Sequence, residues 1–186
     1  MTGWWKSNRV ALLGIAVLLP VTLGAIYANE WGRYNAINPT SPIDVTARET
    51  VDFGGANWTL EGSRSITSVT EEGREAGLPV DTVLHVVTFE VDPYEFTIDE
   101  FTSERRSAYC QLQLVEADGA QRTWSTATFS PISYTRSDGV EGSCWSENTE
   151  QYTVEAIFVV PRDASDNLVM TLDPGTERPN YLRFTL

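Results

Sequence analysis

The chain has 186 residues, 26 acidic and 13 basic side chains and a hydrophobic content of 41%, which excludes a disordered polymer and fits one folded domain. The charge is uneven: Lys6, Arg9, Glu30 and Arg33 are the charged residues before position 34, leaving 25 acids and 10 bases beyond it, a net of −15. Such a domain repels nucleic acid and anionic headgroups, so DNA and RNA are excluded as partners. The charge serves solubility, and it also suits a cationic partner or divalent ions.

Residues 10–28 read VALLGIAVLLPVTLGAIYA, nineteen positions without a charge. As a helix they span roughly 28 Å, the hydrocarbon thickness of a bilayer. Pro20 lies inside, where a membrane span tolerates it. Trp4, Trp5, Tyr27 and Trp31 bracket the run at headgroup level. Lys6 and Arg9 place the N-terminus in the cytoplasm and the rest outside. The alternative is a cleaved signal peptide, whose best site is Ile26-Tyr27-Ala28, with Ile26 where a small residue is preferred. The reading divides the chain into a cytoplasmic tail (1–9), a transmembrane anchor (10–28), a tether (29–42) and an extracytoplasmic domain (43–186). Pro39 and Pro42 make the tether's end extended or turned.

From Ile43 onward no helical period is found, and strands are expected throughout. Residues 43–53 place Ile43, Val45, Ala47, Val51 and Phe53 on one face, interrupted by Glu49. A Gly54-Gly55 turn leads to a short strand around Trp58 and Leu60, and polar residues 61–77 read as a loop or weak strand. Residues 82–91 form the strongest strand, rich in β-branched side chains. Residues 109–115 alternate, with Cys110, Leu112 and Leu114 on one face and Gln111 and Gln113 on the other. Asp118-Gly119 turns the chain into a strand over 122–129. Tyr152, Val154, Ala156, Phe158 and Val160 face inward on a strand that Pro161 stops. Leu168, Met170 and Leu172 mark another strand face, and Leu182, Phe184 and Leu186 the last. Seven to nine short strands predict an all-β fold, an immunoglobulin-like β-sandwich preceded by a single transmembrane helix.

Cys110 and Cys144 both follow the anchor, in an oxidising compartment, so a disulfide is expected. Closing a loop of about 35 residues stabilises the fold by roughly 4 kcal/mol. Trp145 adjoins it. Free thiols or metal ligation are the alternatives, and two cysteines with no histidine nearby make a poor zinc site. Asn57-Trp58-Thr59 matches a glycosylation acceptor that stands idle in a bacterial chain.

Catalytic signals are sparse. His85 is the single histidine, inside a strand and without a G-x-S-x-G elbow. Asp92, Glu95, Asp99, Glu100 and Glu104 crowd one segment, and Asp163 and Asp166 another. Carboxylates so grouped suit calcium or glycoside hydrolysis, but no EF-hand spacing is present and a solvated acidic loop is the plainer reading. No phosphate-cradling loop or metal-ligand pattern appears, so neither cofactor nor metal is expected.

Three segments, LPVDTVLHVVTFEVDP, CQLQLVEADGAQRTW and AIFVVPRDASDNLVMTL, come in an order that resembles the DUF4352-type extracellular immunoglobulin-like domains of membrane-anchored or lipid-anchored Gram-positive, including actinobacterial, proteins. The resemblance covers roughly residues 78–186. It implies a β-sandwich at the cell surface and offers no catalytic residues. The anchor departs from the lipoproteins in lacking their lipobox cysteine. Together the readings describe a non-enzymatic binding module, with an envelope protein or wall polymer as partner and Trp124, Tyr134 and Trp145 as candidate contacts. The alternatives are a small hydrolase or a calcium-dependent module using residues 92–104.

Overall fold

The computed structural model describes residues 3–4, 8–98, 105–106, 110–127, 132–144, 149–164 and 166–186. They form two compact units, Met1–Asn38 and Pro39–Leu186.

The first unit is built on helix α1 (Arg9–Ile37), 29 residues with none buried. Its mean hydropathy reaches 2.3, and among the described residues it is the one helix long and apolar enough to cross a membrane. It outruns the apolar segment that ends at residue 28. The residues assigned to the first part of the tether continue the helix, because no proline interrupts them and side chains along the surface pair up. Arg33 lies 3.8 Å from Glu30. Tyr27 stacks on Trp31, and Trp31 on Tyr34, at centroid distances of 6.1 and 6.2 Å. Asn38 ends the helix in an extended conformation, as a residue before proline prefers. Its side-chain amide and backbone N–H both donate to the Tyr34 carbonyl at 2.9 Å.

The second unit is a β-sandwich. The first sheet has the order β1-β12-β11-β7-β8, with β1 Ser41–Val45, β7 Gln111–Glu116, β8 Thr123–Ser125, β11 Leu168–Asp173 and β12 Asn180–Thr185. The second has the order β2-β3-β4-β10-β9, with β2 Thr50–Phe53, β3 Ala56–Thr67, β4 Thr82–Pro93, β9 Val140–Glu141 and β10 Tyr152–Pro161. A short ribbon joins β5 (Thr97–Ile98) to β6 (Arg105–Arg106). Both sheets are mixed, since β1 runs parallel to β12 and β9 parallel to β10.

One buried cluster joins the inner faces. Leu112, Leu114, Met170, Leu172, Leu182 and Phe184 from the first sheet meet Trp58, Leu60, Val87, Phe89, Phe158 and Val160 from the second. Phe89 and Phe184 touch edge to face across the layer, 5.3 Å apart. Trp58 is wholly buried, and its indole N–H donates to the Phe53 carbonyl at 2.8 Å. A smaller cluster of Ile66, Ala76, Leu78, Leu84, Val86 and Ile157 covers part of the second sheet's outer face. That makes β4 and β10 apolar on both faces there, as their sequences show.

Two expectations change. The 43–53 run is two strands in different sheets, not one. Arg48, at φ 66°, breaks it, and the Glu49 carboxylate accepts from the Thr46 N–H at 3.2 Å to close the turn. Of the two readings for residues 61–77, loop or weak strand, the strand holds for 61–67, which complete β3 and lengthen the short strand expected around Trp58 and Leu60. The register shifts between Leu60 and Gly62, so Glu61 is an extra residue on that strand. Trp58 and Leu60 therefore face inward while Arg64 and Ile66 face outward. Beyond β3, Thr70 accepts from the Gly73 N–H and caps a single-turn helix, α2 (Glu71–Glu75). Gly73 is required there, because a Cβ would lie 2.0 Å from the Thr67 carbonyl oxygen.

Candidate functional site

Cys110 and Cys144 form a buried disulfide with Cα atoms 5.6 Å apart. It ties the start of β7 to the segment before β10. The Tyr152 hydroxyl donates to the Cys144 carbonyl at 3.3 Å.

Trp124 and Tyr134, two of the candidate contacts, are half-buried and engaged in the fold. Trp124 pairs with Leu114 on the inward side of β8 and packs against the main core. The Arg122 guanidinium lies 5.6 Å from its ring centroid. Arg122 also donates to Glu116 at 2.8 Å and to the Asp163 carboxylate at 3.1 Å. The hydrogen bond to Glu116, then that to Asp163, raises the guanidinium's pKa. Asp163, one of the grouped acids, thus clamps the β10–β11 connection to the β7–β8 hairpin.

Tyr134 sits over the outer face of the second sheet. Its hydroxyl accepts from Arg64 at 2.7 Å, and Arg64 also pairs with Glu72 at 2.8 Å. Burial pushes the Tyr134 phenol up, and its hydrogen bond with Glu155 adds to this. Glu155 is only 9% exposed. Among the described residues its Oε2 has no hydrogen-bond partner. Arg136 donates to the Glu155 carbonyl at 3.2 Å. Trp145, Asp99, Glu100 and Glu104 lie outside the described residues.

His85 accepts or donates at 3.0 Å to the Ser65 hydroxyl on the neighbouring strand, and burial pushes its imidazole below the usual value. Among the described residues this pair has no third, carboxylate member. Asp92 and Glu95 are exposed. Between them Tyr94 donates to Asp52, and that hydrogen bond is the main reason its phenol is pushed up to about 12. Among the described residues no group of three or more His, Cys, Asp or Glu could hold a metal ion.

The exposed sheet faces remain. On the first sheet one row crosses all five strands, Asp44–Arg183–Thr171–Gln113–Ser125. Arg183 grips Asp44 with two hydrogen bonds, Nη2 to Oδ2 at 3.0 Å, and holds its carboxyl below the usual range. Asp173 is paired with Arg178 at 2.8 Å. The second sheet differs. Its outer side carries Asp52, Glu90, Asp92 and Glu155 against Arg64, with Asp52, Asn57 and Asp92 side by side on three strands. Sequence reading separated Gln111 and Gln113 from the core-facing residues of β7. It missed Asp44–Arg183, because residues 139 apart meet only through the parallel pairing of β1 with β12.

No known family model matches the chain, and no curated protein matches it. A solved structure it resembles is an uncharacterized β-sandwich protein from Clostridium difficile 630, 11% identical, with a TM-score of 0.42, covering 79% of this chain and 95% of that one. At that identity and score the likeness assigns nothing.

Proposed function

We propose that this chain is a single-pass membrane protein whose immunoglobulin-like domain works outside the cytoplasm as a non-enzymatic binding module. The observation that carries the binding role is the outer face of the first sheet, whose described charged side chains are paired in place beside polar ones. The anchor reading rests on α1, with its uncharged stretch and the bases before it. The buried disulfide suits an oxidising compartment.

The immunoglobulin-like type draws support from strand order. The sequence β12-β11-β7-β8 follows strands G, F, C and C′ of such a domain, and β4-β10 follows B and E, while β9 takes the place of strand D but runs parallel to β10, where such a domain has an antiparallel pair. The β2–β3 hairpin is an addition at the second sheet's edge. The disulfide departs from the usual B–F bridge, and the buried tryptophan sits on β3 instead of the C strand. Kinship with DUF4352-type domains of actinobacterial surface proteins stays a proposal, resting on the three segments quoted above.

The test uses protoplasts expressing the full chain. Added protease is expected to remove the domain, while the helix stays with the membrane after alkaline extraction. Chemical cross-linking in intact cells is expected to join the domain to an envelope protein or wall polymer. A domain shielded from protease, a soluble chain beginning near Asn29, or the lack of any cross-linked adduct would overturn the corresponding part.

A further inference from the structure

The neutral face is the unusual one. A domain of net −15 gains solubility from every exposed carboxylate, yet among the described residues the strands of the first sheet carry no unpaired charge on their outer face. Its acids are matched in place, Asp44 by Arg183 and Asp173 by Arg178. Between and beside these pairs stand Gln111, Gln113, Thr171, Tyr181, Thr123 and Ser125, all outward by strand parity and all at least partly exposed, with Val115 and the buried Val169 in the neighbouring row. Among the described residues the side-chain amides of Gln111 and Gln113 make no hydrogen bond within the chain. The central row, five strands wide, measures about 19 Å.

We propose that this face docks a neutral polyhydroxylated polymer, a glycan without carboxylate or amino groups. The inference rests on the binding-module reading above and names its surface and ligand class. Hydroxyl groups need both donors and acceptors, and each glutamine amide supplies both. The Thr171 hydroxyl donates to the Gln113 carbonyl, which fixes its oxygen lone pairs toward the outside. Tyr181 adds a ring for the apolar side of a sugar. Asp44 holds the Arg183 guanidinium in place, so little ordering is lost on binding. Other partners fit less well. A polyanion is repelled by the domain, and a polycation is drawn to the second sheet. An added peptide strand meets short edges, β8 with three residues and β1 carrying Pro42.

The test is native affinity electrophoresis of the full chain in nanodiscs, through gels containing dextran or mannan. Retardation is expected, and it should persist at about 0.5 M NaCl, where surface charges are screened. The double variant Gln111→Ala/Gln113→Ala should weaken it about fivefold or more. Glu90→Gln, on the other face, should leave it unchanged. Absence of retardation by either polymer, or retardation that the double variant retains, overturns the proposal. If both polymers fail while poly-arginine binds in a Glu90-dependent way, the binding module stands and this face falls. If all three fail, both readings fall.

Discussion

Replacing Phe184 by alanine tests whether the two sheets pack as described. The ring is fully buried at the centre of the core and meets Phe89 edge to face at 5.3 Å. A buried phenylalanine removes roughly 150–250 Å² from water, worth about 4–6 kcal/mol at ~25 cal/mol per Å² as an upper bound. Truncation leaves a cavity as well, so a loss of about 3–5 kcal/mol is expected. In a domain of this size that lowers Tm by about 10 °C or more. The assay is thermal unfolding of the full chain in nanodiscs, followed by near-ultraviolet circular dichroism. A double-mutant cycle with Phe89→Leu and Phe184→Leu isolates the ring contact, with an expected coupling of about 1 kcal/mol. A Phe184→Ala loss below about 1 kcal/mol, or no coupling in the cycle, would refute the face-to-face packing.

Three further outcomes are expected. Reduction of the Cys110–Cys144 disulfide, which closes a separation of 34 residues, should cost roughly 4 kcal/mol, and non-reducing thiol labelling should find neither cysteine free. In an ultraviolet titration Tyr94 should ionise late, near 12, and Tyr94→Phe should remove that contribution while Tyr134 still titrates above the usual value. A phenol raised above its unfolded value near 10 favours the folded state below that pH, and the contribution is lost as pH rises toward 12; an early, uniform titration of all tyrosines would contradict the Tyr94–Asp52 bond. Added NaCl should raise Tm because it screens the repulsion within a domain of net −15, and a salt-independent Tm would show that the carboxylates are already balanced.

Strands with strict alternation were legible from sequence. Tyr152, Val154, Ala156, Phe158 and Val160 all enter the core, as do Cys110, Leu112 and Leu114. The failures share a cause, which is that period-two reasoning carries no signal for a change of parity or sheet. Glu61 adds one residue to β3 and turns Arg64 and Ile66 to the other side. Arg48 reverses the chain inside what reads as one strand. The helix outran its apolar run because hydropathy marks where lipid ends, not where helix ends. For the candidate site, Trp124 and Tyr134 were picked for their chemistry, and composition does not tell which way a ring points. The neutral face was invisible because it is assembled from strands far apart in sequence, with Asp44 and Arg183 separated by 139 positions.

The parallel pairing of β1 with β12 has a mechanical meaning. Residues 38–40 are all that separate Ile37 from Ser41, and the N–H groups of Thr40 and Ser41 already donate to the Pro179 carbonyl, so tension on the N-terminal side of the domain enters the sandwich at β1. Drawn along its own axis, β1 slides against β12 and must break its paired positions, Ser41 to Val45, nearly together. A strand peeled sideways would lose them one by one. Pulled in that direction, the first strand would act as a shear clasp whose five paired positions resist together.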